Sequence, residues 1–295
     1  MVFACKEKPV EEKEEPIKVL LPNGTPMMAI GNVYNNIDDF EFEVVNGQDP
    51  LQAAFLEGKY DIIIAPFNLG AKLFLAGKST YKLEAVITTN NTYIMSRTEL
   101  ADITSIDGKT VMVYGVGSSP WLGYKAVVDK YELNTTEVTQ TSASDVATLF
   151  ASGSTDADYF LGAEPNITTL KEKQGLTIYT LDVSSLLKNE SEYLIQACLF
   201  VNPNSNVSEK RLKMIEDGIK NMNANPKEYA EDVKELAPFF KSLGADVIEK
   251  AVPNCNITYL KAKDNKKVID DFCNLLNKYS PNVLNGKLMD EAFYN

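Results

Sequence analysis

The 295 residues contain no histidine. That absence excludes Ser-His-Asp and Cys-His catalysis, imidazole-based zinc sites and histidine proton shuttles. Positive charge is also in deficit: 29 Lys and Arg stand against 41 Asp and Glu, a formal net charge of -12. A nucleic-acid binder needs a basic footprint, so nucleic acid is excluded as a partner. Cysteine is sparse, at Cys5, Cys198, Cys255 and Cys273, and no two form a CxxC pair, which argues against a zinc ribbon or a redox motif. Neither a metal nor a cofactor is expected, and no catalytic residue stands out. No stretch approaches the ~20 apolar residues of a membrane span. Tryptophan occurs once, as Trp121.

What is present is ordinary for a globular protein: 44% hydrophobic and 24% charged residues, in a length that allows one or two domains. Cys198 and Cys273 read as buried thiols, and a bridge between Cys255 and Cys273 stays open. Cys5 differs. Small Ala4 precedes it, and residues 6–16 are charged, Pro-bearing and without periodicity, so they read as disordered. This looks like the processing site of a bacterial lipoprotein, with the hydrophobic part of the signal peptide trimmed from the sequence and a lipid on Cys5 as the membrane contact. Phe3 is an unusual neighbour for such a site. The competing reading is a cytosolic start with a chance cysteine.

From residue 17 the pattern alternates. Strands are expected at 17–21, 40–45 and 61–65, and helices at 51–57 and 69–75. Ile62-Ile63-Ile64 is continuously apolar, as in a parallel strand buried on both faces. A second series follows: strands at 110–114, 138–141 and 158–162, with helices at 121–131 and at 145–151 capped by Ser144. Residues 56–68 and 150–166 echo one another: each is a helix end, a glycine, an aspartate, a buried strand and a proline turn. Long extended runs at 82–97 and 193–201 flank the second series, and after Pro203 the chain reads as helical. Alternation of this kind is the mark of an α/β fold.

These residues resemble the substrate-binding proteins of bacterial ABC importers in the nitrate, taurine and sulfonate (NitT/TauT-like) class, which includes thiamine-pyrimidine and riboflavin binders. The cues are Leu21-Pro22-Asn23-Gly24-Thr25-Pro26-Met27-Met28, Asp61-Ile62-Ile63-Ile64-Ala65-Pro66, Ile106-Asp107-Gly108-Lys109-Thr110-Val111, Gly162-Ala163-Glu164-Pro165, Gly286-Lys287-Leu288 and Phe293-Tyr294. The resemblance implies a two-lobed type 2 periplasmic-binding fold, each lobe a mostly parallel sheet flanked by helices. It implies a disordered tether over 1–16, one lobe from 17–93 plus 200–295, a second from 94–199, and hinge crossovers near 93–95 and 197–199. It further implies a monomeric extracytoplasmic receptor, lipid-anchored to the outer face of a bacterial cell membrane, that closes on a small solute and then meets a permease and its ATPase. The residues from Cys5 to Ile17 reach at most roughly 40 Å, a lobe-sized leash.

Ligands of open α/β sheets bind beyond the carboxyl ends of the strands. In the first lobe that selects Asn23, Thr25, Met27, Phe67, Asn68, Thr89, Asn90 and Tyr93. In the second it selects Gly117, Ser118, Ser119, Trp121, Ser142, Glu164, Asn166 and Gln196. Helix starts at these loops offer N–H groups to a phosphate, carboxylate or carbonyl oxygen, with plain helix capping as the competing reading of each Ser and Asn. The loops carry no Arg or Lys but do carry Glu164, and Trp121, Phe67, Tyr93 and Tyr114 offer aromatic faces. That combination favours a neutral or cationic, ring-bearing solute such as a thiamine pyrimidine or a riboflavin-like compound. A nitrate, sulfonate or taurine receptor is one alternative. An enzyme on the same fold, a dehydratase or pyrimidine-synthase relative, is another, and a surface sensor or adhesion module without transport is a third.

Overall fold

The computed structural model describes residues 14–188 and 191–295; Cys5 and the rest of the expected tether through residue 13 lie outside them. The strands are β1 (Ile17–Pro22), β2 (Phe40–Val45), β3 (Ile62–Pro66), β4 (Lys82–Thr88), β5 (Tyr93–Ser96), β6 (Thr110–Tyr114), β7 (Thr136–Gln140), β8 (Tyr159–Gly162), β9 (Tyr179–Asp182), β10 (Ala197–Val201) and β11 (Ile257–Lys261). The helices are α1 (Thr25–Ile30), α2 (Asp49–Glu57), α3 (Phe67–Leu75), α4 (Ser119–Lys130), α5 (Ala143–Ser152), α6 (Asn166–Gln174) and α7 (Val183–Leu186). They continue with α8 (Glu209–Ala224), α9 (Pro226–Val233), α10 (Pro238–Leu243), α11 (Ala245–Ala251), α12 (Lys266–Tyr279) and α13 (Pro281–Leu284).

Two sheets result, ordered β11-β4-β10-β3-β1-β2 and β7-β6-β8-β5-β9. In the first, β1 is parallel to β2 and β3, whereas β10 lies antiparallel between β3 and β4 and β11 is antiparallel to β4. In the second, β6 is parallel to β7 and β8, and β5 is antiparallel to β8 and β9. Alternate residues of the central strands sort to opposite faces, as the two-residue strand period requires. Leu20, Ile63 and Phe200 enter a core that continues into the second sheet and its helices. Val19, Leu21, Ile62, Ile64 and Leu199 enter a separate core against α1, α8, α9 and α11.

The echoed segments fold alike. Gly58 and Gly153 close α2 and α5 at φ +68° and +70°, a left-handed backbone that glycine adopts without a Cβ penalty. Asp61 then pairs with Lys18 of β1: its N–H donates to the Lys18 carbonyl (2.9 Å) and its carboxylate accepts from the Lys18 N–H (2.7 Å). Asp158 pairs with Thr110 of β6 in the same way, at 2.9 and 3.0 Å. An aspartate at the foot of each inner strand thus sets the register of a parallel pair, which has no hairpin to set it.

Several expectations shift. The extended run over 82–97 is two strands in different sheets, β4 and β5, and only β10 is a strand within 193–201. Residues 93–95 and 197–199 therefore sit inside β5 and β10, and the chain crosses between sheets at residues 89–92 and 193–196. The region after Pro203 is not wholly helical, because β11 returns to the edge of the first sheet. Ser142, not Ser144, caps α5. Cys198, Cys255 and Cys273 are free and buried, which closes the question of a Cys255–Cys273 bridge.

At the far end of the first sheet, Arg211 of α8 is buried, and its guanidinium donates to the Glu15 carbonyl (2.8 Å) and to Asp39 (3.4 Å), with Glu14 at 3.6 Å. Helix α3 approaches β10 closely, since a Cβ on Gly70 would lie 2.3 Å from Cζ of Phe200, a buried ring. In an open helix, Gly→Ala stabilises by about 1 kcal/mol. Here overpacking, typically about 1–3 kcal/mol, outweighs that gain. Gly70→Ala is expected to lower the urea midpoint at unchanged m-value, whereas Gly175→Ala, in open space at φ +64°, reports backbone strain alone.

Candidate functional site

The carboxyl ends of β1 and β3 face those of β6 and β8. The helix starts that follow these strands come within hydrogen-bond reach. Thr25 Oγ1 at the start of α1 donates to the Glu164 carbonyl before α6 (3.2 Å), and Asn68 Nδ2 at the start of α3 reaches the Gly117 carbonyl before α4 (3.5 Å). A Cβ on Gly117 would stand 4.0 Å from Ser280 Oγ, at the end of α12. The two halves also meet on their flanks, through Asp129 of α4 with Lys278 and Tyr279 (2.7 Å each) and through Glu172 of α6 with Lys250.

The start of α4 is the most open of these ends. Gly117 has φ +80°, which turns the loop into the helix. Ser118 occupies the cap position, but its hydroxyl donates to the Gly115 carbonyl and leaves the helix uncapped. Pro120 has no N–H, so the Ser119 and Trp121 N–H groups are the donors without intrahelical partners. Ser119 is 6% exposed, and its Oγ is buried with no hydrogen-bond partner. Such a group costs free energy unless something satisfies it.

The start of α6 is closed by its own chain. Glu164 is buried, its carboxylate accepting from the Thr168 N–H (2.9 Å) and Thr168 Oγ1 (3.0 Å). Burial raises its pKa; the Thr168 hydrogen bonds and the Lys171 charge oppose this. The peptide of Glu164 is gripped by Asn91, whose Oδ1 accepts the Glu164 N–H (2.7 Å) while Nδ2 donates to the Glu164 carbonyl (2.9 Å) and to Thr25 Oγ1 (3.1 Å). Asn91 lies in the 88–93 loop that the sequence places at the cleft but is not singled out within it, because no local motif marks an asparagine whose partner is 73 residues away.

The remaining candidates divide. Phe67 is withdrawn from the site, buried edge-on against Phe272 and Phe293, and Met27 lies in the core. Tyr114 is buried as well. Trp121 does not offer a free ring: its Nε1 donates to Glu137 of β7 (2.9 Å), and Lys125 lies over it at 5.8 Å. Ser142 is a helix cap in a box with Asp145. Thr89, Asn90 and Gln196 brace the crossovers: the Thr89 N–H donates to the Asn256 carbonyl (3.2 Å), Asn90 Oδ1 accepts from the Leu194 N–H (2.7 Å), and Gln196 Nε2 donates to the Asn91 carbonyl (3.1 Å). The Tyr93 hydroxyl donates to the Asn254 carbonyl (2.8 Å), and burial raises its pKa. Asn23 bonds Asn46 at the exposed rim (2.7 Å). Thr25, Asn68, Gly117, Ser118, Ser119, Glu164 and Asn166 remain at the facing helix starts. Among the described residues no group of three or more Cys, Asp or Glu is placed to hold a metal, and no helix is long and apolar enough to cross a membrane.

The model of the family described as NMT1/THI5 like matches residues 74–229, just over half of the chain. No curated protein matches by sequence. Among solved structures, an ABC transporter protein from Parabacteroides distasonis is similar at 20% identity, with TM-score 0.80 over 96% of this chain and 99% of that one. The periplasmic aliphatic sulphonate binding protein SsuA from Escherichia coli is similar at 10% identity, with TM-score 0.68 over 94% and 92%. The CA3427 gene product of Candida albicans, described as having the generic periplasmic binding protein fold, is similar at 12% identity, with TM-score 0.55 over 94% and 93%. These likenesses establish the two-sheet periplasmic-binding fold.

Burial of Glu164 has a measurable consequence. Its pKa is higher in the folded chain than in the unfolded one, so its ionised form costs stability. The cost is full above the folded pKa, shrinks as pH falls below it and is gone only below the unfolded pKa. Glu164→Gln is expected to unfold at a higher temperature than the parent at pH 7, and the gap should close on acidification. A gap that widens in acid would contradict the desolvated carboxylate.

Proposed function

This chain belongs to the NMT1/THI5 like family, and we propose that it is the extracytoplasmic solute-binding component of an ABC importer rather than an enzyme. In this reading two lobes, one built on the first sheet and one on the second and joined at residues 89–92 and 193–196, close on a solute and present the closed surface to a permease driven by its ATPase. The protein works as a monomer, tethered to the membrane by a lipid on Cys5. The similarity to periplasmic and transporter proteins supports the role. The observation that carries it is the start of α4: an uncapped helix end with a buried, unpartnered Ser119 hydroxyl, facing a second helix start across the two halves of the chain.

The same geometry moves the solute class. Trp121, Phe67 and Tyr114 are engaged in packing, which removes the support for a stacked ring. The Glu164 carboxylate is consumed by its own helix, which removes the support for a cation. What remains is donors: the α4 N–H groups, Ser119 Oγ, and the Asn68 and Asn166 amides. Donors without Lys or Arg suit a solute that presents acceptor oxygens to a helix start. A sulfonate meets that requirement as well as the carbonyl or hydroxyl edge of a vitamin precursor such as a thiamine pyrimidine, so the sulfonate alternative stands level with it. The likeness to SsuA supports the former; the family's name accommodates the latter. Glu164, the acid an enzyme reading would use, is held by Thr168, which removes its support for that reading.

Thermal unfolding against methanesulfonate, taurine, nitrate, thiamine's hydroxymethylpyrimidine, riboflavin and uracil tests both levels. A solute at ~1,000 times its Kd stabilises by about 4 kcal/mol, roughly 2–4 °C per kcal/mol for a chain of this size. One chemical group should shift the midpoint, and Ser119→Ala should weaken that solute about 3- to 10-fold, the value of one neutral hydrogen bond. If no solute shifts the midpoint, the receptor reading fails for these classes. A shift that Ser119→Ala leaves untouched would move the site away from α4.

A further inference from the structure

Asn91 lies in the first crossover, is 2% exposed, and has every polar atom of its side chain engaged. Its carboxamide pairs with one peptide unit, accepting from the Glu164 N–H and donating to the Glu164 carbonyl. Only one orientation of the amide satisfies both contacts, so the group is fixed in rotation as well as position. Its remaining N–H goes to Thr25, whose hydroxyl donates to the same Glu164 carbonyl. The backbone carbonyl of Asn91 accepts from Gln196, which comes from the second crossover. One residue therefore touches both crossovers, the start of α1 and the approach to α6.

We propose that Asn91 is the positioning residue that couples the crossovers to the placement of the two lobes, by clipping the lobe-2 helix start at Glu164 to the lobe-1 helix start at Thr25. The inference rests on the closing motion of the receptor reading but on no particular solute. Three hydrogen bonds converge on a side chain that is 2% exposed, where each is strong and each orphan is costly. Lobe separation must break or carry this clip. The clip favours the arrangement in which the starts of α3 and α4 face each other, and it contributes no atom to the solute.

The test reads lobe geometry without solute. Spin labels at Gln52→Cys in α2 and Ser154→Cys just after α5, both exposed and in different halves of the chain, report one lobe–lobe distance. The described native cysteines are buried and do not compete for label, and the measurement uses the full chain with Cys5→Ser. In the parent a single narrow distance is expected. Asn91→Ala should add a population longer by several ångströms, and Thr25→Val, which removes two of the contacts, a smaller one. Parent-like distances in both variants, with only the unfolding midpoint lowered, would reduce Asn91 to a local structural role and overturn the proposal. If Asn91→Ala does not fold, Thr25→Val decides, because Thr25 is only half-buried. Longer distances in a protein that binds no solute in the panel would sustain the clip and remove the receptor reading.

Discussion

A helix that begins in the protein interior leaves N–H groups that must be satisfied, and this constraint organises the meeting of the two sheets. Parallel strands deliver their helices to the same end, so α1, α3, α4 and α6 all begin where the two halves face one another. Each beginning is resolved differently. Helix α6 is satisfied by the Glu164 carboxylate, and α1 gives up a donor to Pro26 in its first turn. The Phe67 N–H at the start of α3 donates to the Gln196 carbonyl (2.9 Å). Of these four starts, only α4 is left with an uncapped end and an unpartnered hydroxyl together, a combination that Ser208 repeats at the start of α8, away from the facing ends. The site is what remains when the internal solutions have been counted.

Around this polar centre lie two apolar cores with a different role. Their cohesion is large but non-directional, and it would tolerate small rotations of one half against the other. Direction comes from the amide side chains at the crossovers. Asn90 and Asn256 take left-handed backbone conformations, at φ 50° and 49°, that asparagine accepts more readily than most residues. The Asn256 amide donates to the Asn90 carbonyl (3.1 Å). The core shared by the two sheets holds the halves in contact, and the asparagines fix how they are turned.

Much of the fold was legible because it rests on local signals. The run of isoleucines in β3, the glycines after α2 and α5 and the prolines opening α1, α4 and α9 are cues within a few residues of their effect. The crossovers were misplaced by about four residues because 82–97 is extended throughout, and nothing local marks where hydrogen bonding passes from one sheet to the other. β11 was missed inside a helical stretch since a five-residue edge strand carries little periodicity. At the site, sequence found the helix starts but overvalued Trp121, Phe67 and Glu164. Each side chain had an internal partner (Glu137, Phe272 and Thr168) that only the tertiary structure reveals. Asn91 was not singled out for the same reason.

Arg211 introduces a mechanical asymmetry. Its guanidinium holds Glu15 and Asp39 at the foot of the first sheet, among the first residues of the described chain. The amino-terminal side is therefore clasped to β1, the approach to β2 and α8. The second sheet meets the first through the two crossovers, the shared core and contacts such as Asp129 with Lys278, none of which includes Arg211. A pull on the amino-terminal side would therefore meet the first half before the second, through a buried guanidinium rather than through the crossovers.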